Sequence, residues 1–487
     1  MRNILPKNII LLAEACMKET GKPLYAVGGS VRDFLAGFSL ASSDFDLCAP
    51  VPADTFAKIA KKNGFRIDAE YRRTGTVKFS ASAPVYPSSQ SCDFAKNGGE
   101  KSQFEYAAFR SDKYVRGEHT PAETFFTEDI FLDAKRRDFT CNAIYYDIAR
   151  GEFEDPLGGR KAIRDKMLST VDKADKVFGE DGLRLMRLAR MAGTTGFLPD
   201  TETLAGAKHN AALIADVSPE RIFTELRLIL KSDEKYGNKG GVYRALSLLD
   251  ETRVLDGILP ELTAGRGLKQ RADFHDHDVL EHSLRASAYA DRRVRLAALL
   301  HDIGKPAAFF RDGKFSEHPN VGADLCREIL TRLKAPAKET NLICELTLWH
   351  MYDYDLHTKE NKLRKFMVSH ADILDDLLLV KQADYSACKD DLSPAPCVVK
   401  WKELIGKMRE EGAAFSLKEL HVNGNDLASV IEDKRLIGKA LNALLLHVAV
   451  CPADNEKERL LFLAPRLLSQ SENVGKDERE KNAAKSS

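Results

Sequence analysis

From Val177 to the last residue, strand patterns largely disappear from this chain, whereas its first ~155 residues alternate short β-like runs with helical segments. That change of period constrains the fold more than any other feature. It implies an α/β unit at the amino end followed by helical units. The length of 487 residues agrees. It exceeds what one hydrophobic core organises, and suits about two to four domains.

Within the first unit, YAVGGSVRDFLAG reads as a strand, a turn and a helix, and SDFDLCAP as a second strand. TVKFS and FEYAAFR read as two more, joined by SASAPVYPSSQSCDFAKNGGEKSQ, whose Ser, Gly and Pro content predicts a mobile loop. Later, EDGLRLMRLARMAG, RIFTELRLILKS and VYRALSLLDET carry apolar residues at helical spacing. Ser218, Pro219 and Glu220 form a helix start: a capping hydroxyl, a pre-set φ and a carboxylate at the positive end of the dipole. The segment SQSENVGKDEREKNAAKSS lacks large apolar side chains and predicts a disordered end.

Charge and cysteine usage narrow the function classes. The 73 basic and 73 acidic residues cancel, which excludes a uniformly basic nucleic-acid binder but not a local basic track. Nine cysteines, odd in number and without a CxxC, read as reduced thiols of a cytosolic protein rather than a disulfide framework or a zinc site. No apolar run is long enough to cross a bilayer, and the run Ile9 to Ala13 is cut by Glu14, so no signal peptide is expected.

Two segments carry chemistry. In VGGSVRDFLAGFSLASSDFDL, Asp44 and Asp46 stand one residue apart, so on a strand they project from the same face. Carboxylates held together repel unless a cation sits between them, and Mg²⁺ suits an acid pair shared with substrate phosphates. Two such ions can clamp a nucleotidyl displacement. Gly28 and Gly29 have no Cβ to keep a triphosphate away, and Arg32 adds a forked donor. Further on, RRDFTCNAIYYD sets Arg136 and Arg137 side by side. One is expected to hold phosphate while the other packs or pairs with Asp138, and Asn142 could meet a ribose hydroxyl.

Together with EDGLRLMRLARMA, these segments resemble the class II tRNA nucleotidyltransferases, the CCA-adding enzymes, whose motifs are shared by bacterial poly(A) polymerases. The likeness covers roughly residues 20–230. VSPERIFTELRLIL resembles the family's neck, and LHVNGNDLASV resembles its tail less specifically. The resemblance implies an α+β chain: a small polymerase-β-like nucleotidyltransferase head at 1–155, then an all-helical neck at 156–265, an HD-type domain at 266–400 and a tRNA-binding tail at 401–467. A disordered end at 468–487 completes this division. It also implies the activity, transfer of CMP and AMP from CTP and ATP to a tRNA lacking its 3′ CCA. By resemblance Asp44 and Asp46 are catalytic and bind Mg²⁺. The nucleotide is met by Gly28, Gly29, Arg32, Arg136, Arg137, Asp138, Asn142, Asp181, Arg184, Arg187 and Arg190. In such enzymes the number of nucleotides added depends on a flexible loop, here expected within Tyr114 to Asp133.

Asp181 and Arg184 support a reading of their own. Three apart on one helix, they share a face. Carboxylate only accepts and guanidinium only donates. Cytosine and adenine both present an amino donor beside a bare ring nitrogen, whereas guanine and uracil present a carbonyl beside an N–H, so the pair fits C and A and opposes G and U. Three departures stand against the family pattern. Gly182 lies inside the expected helix, which costs about 1 kcal/mol against alanine. Met191 stands where the family usually has phenylalanine, and the loop between Phe79 and Phe104 is long.

Residues 275–384 hold a second pattern. VLEHSL ends an apolar helix with His282, RLAALLHDIGKP sets His301 and Asp302 after another, and KQADYSAC offers Asp384, with Asp372, Asp375 and Asp376 as neighbouring candidates. The set resembles the HD superfamily of metal-dependent phosphohydrolases, which implies one cation held by His282, His301, Asp302 and Asp384. Imidazole with carboxylate suits Mn, Ni, Fe or Zn rather than magnesium alone. His318 and His350 are further ligands or phosphate contacts. Two alternatives to CCA addition remain: a poly(A) polymerase of the same family, and a metal phosphohydrolase whose head only binds RNA.

Overall fold

The computed structural model describes residues 1–38, 45–81, 103–113 and 123–483, with side chains as far as residue 470. Asp44, residues 82–102 of the loop expected at 80–103 and the segment 114–122 lie outside the described residues, while Ser80, Ala81 and Gln103 belong to strands. The chain divides into two compact units, Met1–Thr263 and Ala264–Ser487. Among the described residues no helix is long and apolar enough to cross a membrane.

The first unit is built on strands β1 (Tyr25–Val27), β2 (Asp46–Ala49), β3 (Phe65–Tyr71), β4 (Thr76–Ala81), β5 (Gln103–Ala108), β6 (Arg110–Lys113), β7 (Glu123–Phe126), β8 (Tyr145–Asp147) and β9 (Glu152–Glu154). Seven of them form one sheet in the order β3-β4-β5-β2-β1-β8-β9, and β6 and β7 form a separate ribbon. All neighbours in the large sheet are antiparallel except β2 and β5. Alternation along each strand then sorts the two faces. On one, Tyr106 stacks at 3.7 Å on Phe56 of the helix Ala53–Lys62, which also meets Phe79 edge-on. On the other, Tyr25, Val27, Cys48 and Tyr145 pack with Phe109, Ala134, Ala143 and Val177. The strand, turn and helix read from YAVGGSVRDFLAG are present, with the helix at Gly29–Leu35.

Helices complete this unit, among them Ala174–Glu180, Leu183–Thr195, Pro219–Ile229 and Gly241–Glu251. Ser218 does cap Pro219–Ile229, but its hydroxyl makes no capping hydrogen bond. The helix expected across Glu180 to Gly193 is broken. Asp181 ends one helix in an extended conformation, and Gly182 is the N-cap of the next. A Cβ on Gly182 would collide with the Leu213 carbonyl, so the glycine that sequence alone counts as a weakness is a close-approach point.

The second unit is helical. Val279–Tyr289, Arg295–Leu300, His318–Arg332, Ala337–Trp349 and Leu374–Lys389 surround one buried polar cluster. Pro396–Glu410 runs through the boundary expected at 400/401. The last helix, Lys457–Ala483, continues where the sequence predicts disorder from 468. Its Glu, Lys, Arg and Ala content lacks core-forming side chains but has high helix propensity, which is the reason for that difference.

Candidate active site and metal cluster

Val27 pairs with Asp46 across β1 and β2, and Asp46 pairs with Glu105 across β2 and β5. Register partners share a face, so the two carboxylates stand side by side. Asp46 is exposed while Leu47, Cys48 and Ala49 behind it are buried. The backbone passes beneath the acid at Gly28, whose φ is 78°. A Cβ there would come within 3.1 Å of Asp46 Oδ2 in a conformation that L side chains avoid. The acid therefore projects from a strand start directly over a glycine turn. Glu105 was not singled out from the sequence. Its signal was the alternation in FEYAAF, which buries Phe104 and Tyr106 and leaves Glu105 outside. Asp133, also unassigned from sequence, is fully buried. It accepts from Arg136 Nε at 2.7 Å, Arg137 Nη2 at 3.1 Å and the Tyr145 hydroxyl at 2.7 Å. Burial opposes its charge, but Arg136 and Arg137 outweigh burial and bring its pKa down to about 2.

In the second unit, His282 Nε2 lies 3.3 Å from Asp302 Oδ2 and 3.1 Å from Asp384 Oδ1, and His301 Nε2 lies 3.3 and 3.4 Å from the same two atoms. All four residues are buried. His318 and His350 approach the other side of Asp302, with Nε2 atoms 3.2 and 3.6 Å from Oδ1. Burial lowers the pKa of His350 to about 4. Burial works against charge on His301 too, but Asp302 and Asp384 outweigh it and raise that pKa to about 10. Lys305 Nζ is 2.6 Å from Asp302 Oδ2.

Comparison with known proteins fits this geometry. The Poly A polymerase head domain model matches residues 24–169, a probable RNA- and SrmB-binding site of polymerase A matches 196–265, and the HD domain matches 279–377. The A-adding tRNA nucleotidyltransferase of Deinococcus radiodurans is 30% identical over 412 residues, which is 80% of this chain and 83% of that one. The CCA-adding enzyme of Geobacillus stearothermophilus is 30% identical over 453 residues, 91% of this chain and 93% of that one. The chain belongs to the CCA-adding enzyme and poly(A) polymerase family, and it carries an HD domain. The fold is also that of the Bacillus stearothermophilus CCA-adding enzyme crystallised with CTP, with a TM-score of 0.63 at 24% identity over 97% of this chain and 98% of that one. Family heads and HD domains generally use divalent metal ions.

Against that family frame, the arginines differ most from expectation. Arg32 is buried. Its Nε and Nη2 donate to Asp33 Oδ1, its Nη1 to Asn142 Oδ1 at 2.6 Å and to Met191 Sδ at 3.3 Å, and its Nη2 also to the Tyr236 hydroxyl. Met191 thus has a polar task where an aromatic ring was expected. Arg136 and Arg137 do not divide between phosphate and Asp138, since both grip Asp133. Asp138 instead accepts from Arg187 and from the Asn142 amide. Arg187 holds the Asp138 carboxyl well below the usual carboxylate range despite its burial. Arg190 bonds buried Glu225. Asp181 and Arg184 do not share a helix face. Asp181 accepts from Arg221 at 2.9 Å and from the Leu183 N–H, while Arg184 donates to Glu180 at 2.8 Å and to the carbonyls of Val177 and Arg136.

The histidines follow expectation more closely. His301, Asp302 and Asp384 stand where the sequence places them, and Asp384 rather than Asp376 completes the group, since Asp376 faces Arg293. His282 sits in the first turn of Val279–Tyr289 rather than in its last. The donors present fit the implied metals. The head offers carboxylate oxygens at Asp46 and at Glu105, the latter facing exposed Lys78 at 3.7 Å, and oxygen ligands suit a hard cation. The buried cluster offers imidazole nitrogens with carboxylates, which suits a transition metal.

Proposed function

We propose that this chain is a tRNA nucleotidyltransferase that adds CMP and AMP from CTP and ATP to a tRNA lacking its 3′ CCA, releasing pyrophosphate, and that it works in the cytoplasm. The observation that carries the reading is the seat of Asp46, over the Gly28 turn and beside Glu105. Asp44, Asp46 and Glu105 are the residues to hold Mg²⁺, which when bound lowers the pKa of the attacking hydroxyl and neutralises the pyrophosphate. Gly28 and Gly29 leave room for the triphosphate against the backbone. Asp181 and Arg184 supply the acceptor and donor that match C and A. Meeting a base requires Arg184 to exchange its bond to Glu180 or to a carbonyl for the ring nitrogen. Residues 1–155 act as the catalytic head, 156–265 as the neck, and 401–467 hold tRNA through phosphates and shape.

The HD domain supports a second activity, hydrolysis of phosphate esters with Mn, Ni, Fe or Zn, because its ligand positions converge within one buried cluster. The test of the main reading is extension of a tRNA lacking CCA with CTP and ATP supplied singly and together, followed by sequencing of the ends. Complete CCA only with both nucleotides is the expected result. Addition of a single A only to CC-ended tRNA would make the chain functionally like the Deinococcus radiodurans relative, and a long A tract would reject the reading.

A further inference from the structure

We propose that the corner joining the last two helices of the second unit is a zinc-binding site, formed by His447, Cys451 and Asp454. The site is separate from the HD cluster and independent of how the head is read. His447 lies in the last turn of the helix Ile437–Val448. Cys451 precedes the short helical turn Pro452–Asp454, and Asp454 closes that turn just before the helix that starts at Lys457. A ring nitrogen, a thiol sulfur and a carboxylate oxygen, one from each residue, all lie within 4.8 Å of one another.

The backbone holds the three ligand residues in place. The Cys451 N–H donates to the His447 carbonyl at 2.9 Å, and the Asp454 N–H to the Cys451 carbonyl at 3.0 Å, so each is bonded to the one before it. Asn455 ties the corner to an earlier segment: its Oδ1 accepts from the His421 N–H at 3.0 Å and its Nδ2 donates to the Glu419 carbonyl at 3.0 Å. Little chain entropy is therefore left to lose when an ion binds. The Asp454 carboxylate is divided between two partners. Arg459 Nε bonds Oδ1 at 3.1 Å, and Oδ2 faces His447 Nε2 at 2.6 Å. Arg459 thus fixes the plane of the carboxylate and leaves Oδ2 for the ion. Ligands of a tetrahedral zinc ion stand roughly 3.3 Å apart, so the ion replaces the proton between Nε2 and Oδ2 once the two part by about 0.7 Å. The side chains of His447 and Asp454 are 22% and 24% exposed, and of the described cysteines Cys451 alone is exposed, which opens the corner to an ion from solvent.

The donor set names the ion. Sulfur, nitrogen and one carboxylate oxygen suit Zn²⁺, whereas Mg²⁺ and Ca²⁺ take oxygens. Binding forms one bond to each ligand, the thiol proton leaves to solvent, and the neutral imidazole keeps its proton on Nδ1. Thiolate and carboxylate together neutralise the two charges of the ion, and a water fills the fourth position. The spacing of the cysteines gives no sign of this site because it uses one thiol rather than a CxxC pair. Bound there, the ion clasps the end of one helix to the start of the next.

The test uses the full-length chain, first stripped of metal with a chelator. Zn²⁺ should slow alkylation of Cys451 by iodoacetamide at least ~10-fold, read by peptide mass spectrometry, because the sulfur lone pair that attacks is held by the ion. The protection should disappear in His447→Gln, which keeps Cys451 itself. Co²⁺ should give a thiolate-to-cobalt charge-transfer band in the near ultraviolet. That band should persist in Asp302→Ala, which lacks an HD ligand, and be absent in Cys451→Ser. Equal alkylation rates with and without Zn²⁺ overturn the proposal. So does a band that survives Cys451→Ser, or protection that survives His447→Gln. If a variant fails to fold, the protection measured on the parent chain decides.

Discussion

The head and the HD domain each gather acids and bases for a cation, but they do so in opposite ways. Asp46 sits exposed at a strand start, with Glu105 beside it and carboxylate oxygens as the ligands on offer. His282, His301, Asp302 and Asp384 are buried and mix nitrogen with oxygen. An exposed oxygen site binds its ion weakly by itself and shares it with the substrate's phosphates. A buried mixed site holds an ion of its own, since removal would leave uncompensated charge in a low dielectric. On the proposed reading, the contrast gives the head a substrate-borne metal and the HD domain a resident one.

The sharpest way to break that contrast is Asp46→Ala. On the proposed reading, loss of the Asp46 carboxylate should lower nucleotide addition at least ~1,000-fold, about 4 kcal/mol of transition-state stabilisation, while the phosphate-ester hydrolysis proposed for the HD domain stays unchanged. Primer extension and a phosphatase assay on the same preparation check both halves. Full transfer activity in this variant would remove Asp46 from the site.

How much of this was legible in the sequence depends on whether a role needs one neighbourhood or several. The strand, glycine turn and helix of YAVGGSVRDFLAG are local, and they formed as read. The convergence of His282 and His301 was legible because ALLHDIGKP and VLEHSL sit on helices whose apolar faces fix where the two rings point. The arginines were not, because a guanidinium looks the same in sequence whether it meets phosphate or a buried acid. Arg32 finds its partners 110 and 159 residues away, at Asn142 and Met191, and no local spacing announces that. Asp133 had a local sign, an acid three and four residues before Arg136 and Arg137 at helical distance.

Asp133 therefore offers the next test. Asp133→Asn leaves Arg136 and Arg137 without their shared charge and should cost ~3 kcal/mol of head stability at neutral pH. The sign with pH follows from its lowered pKa. Its contribution is complete above the ordinary carboxylate value of 3.8 and is lost as pH falls through about 2. The stability gap between the parent chain and Asp133→Asn should thus be constant from pH 7 to about 5 and begin to close below about 4 in urea titrations. A gap that widens on acidification would place the charge elsewhere.

Metal exchange tests the difference in burial directly. After rapid desalting into buffer with a weak chelator, transfer activity should vanish and return at once with Mg²⁺. The HD metal, followed by elemental analysis, should leave at least ~10-fold more slowly, a difference of about 1.4 kcal/mol in barrier. Equal rates would mean that the HD cluster opens to solvent as readily as the strand edge does.

A change of similar size separates frame from grip. Arg32→Lys keeps the charge but replaces a planar five-donor fork with a three-donor point charge, so Asn142, Met191 and Tyr236 lose their common partner. As a buried frame, Arg32 should cost ~1–2 kcal/mol of stability on this change, with the KM for ATP rising less than about threefold. If Arg32 instead turns outward to grip the triphosphate, the order reverses: KM rises by about tenfold or more, the equivalent of a lost charge-assisted hydrogen bond, while thermal stability barely moves. Measuring melting temperature and KM on the same variant decides between the two, because only a residue that works through its neighbours loses stability before it loses affinity.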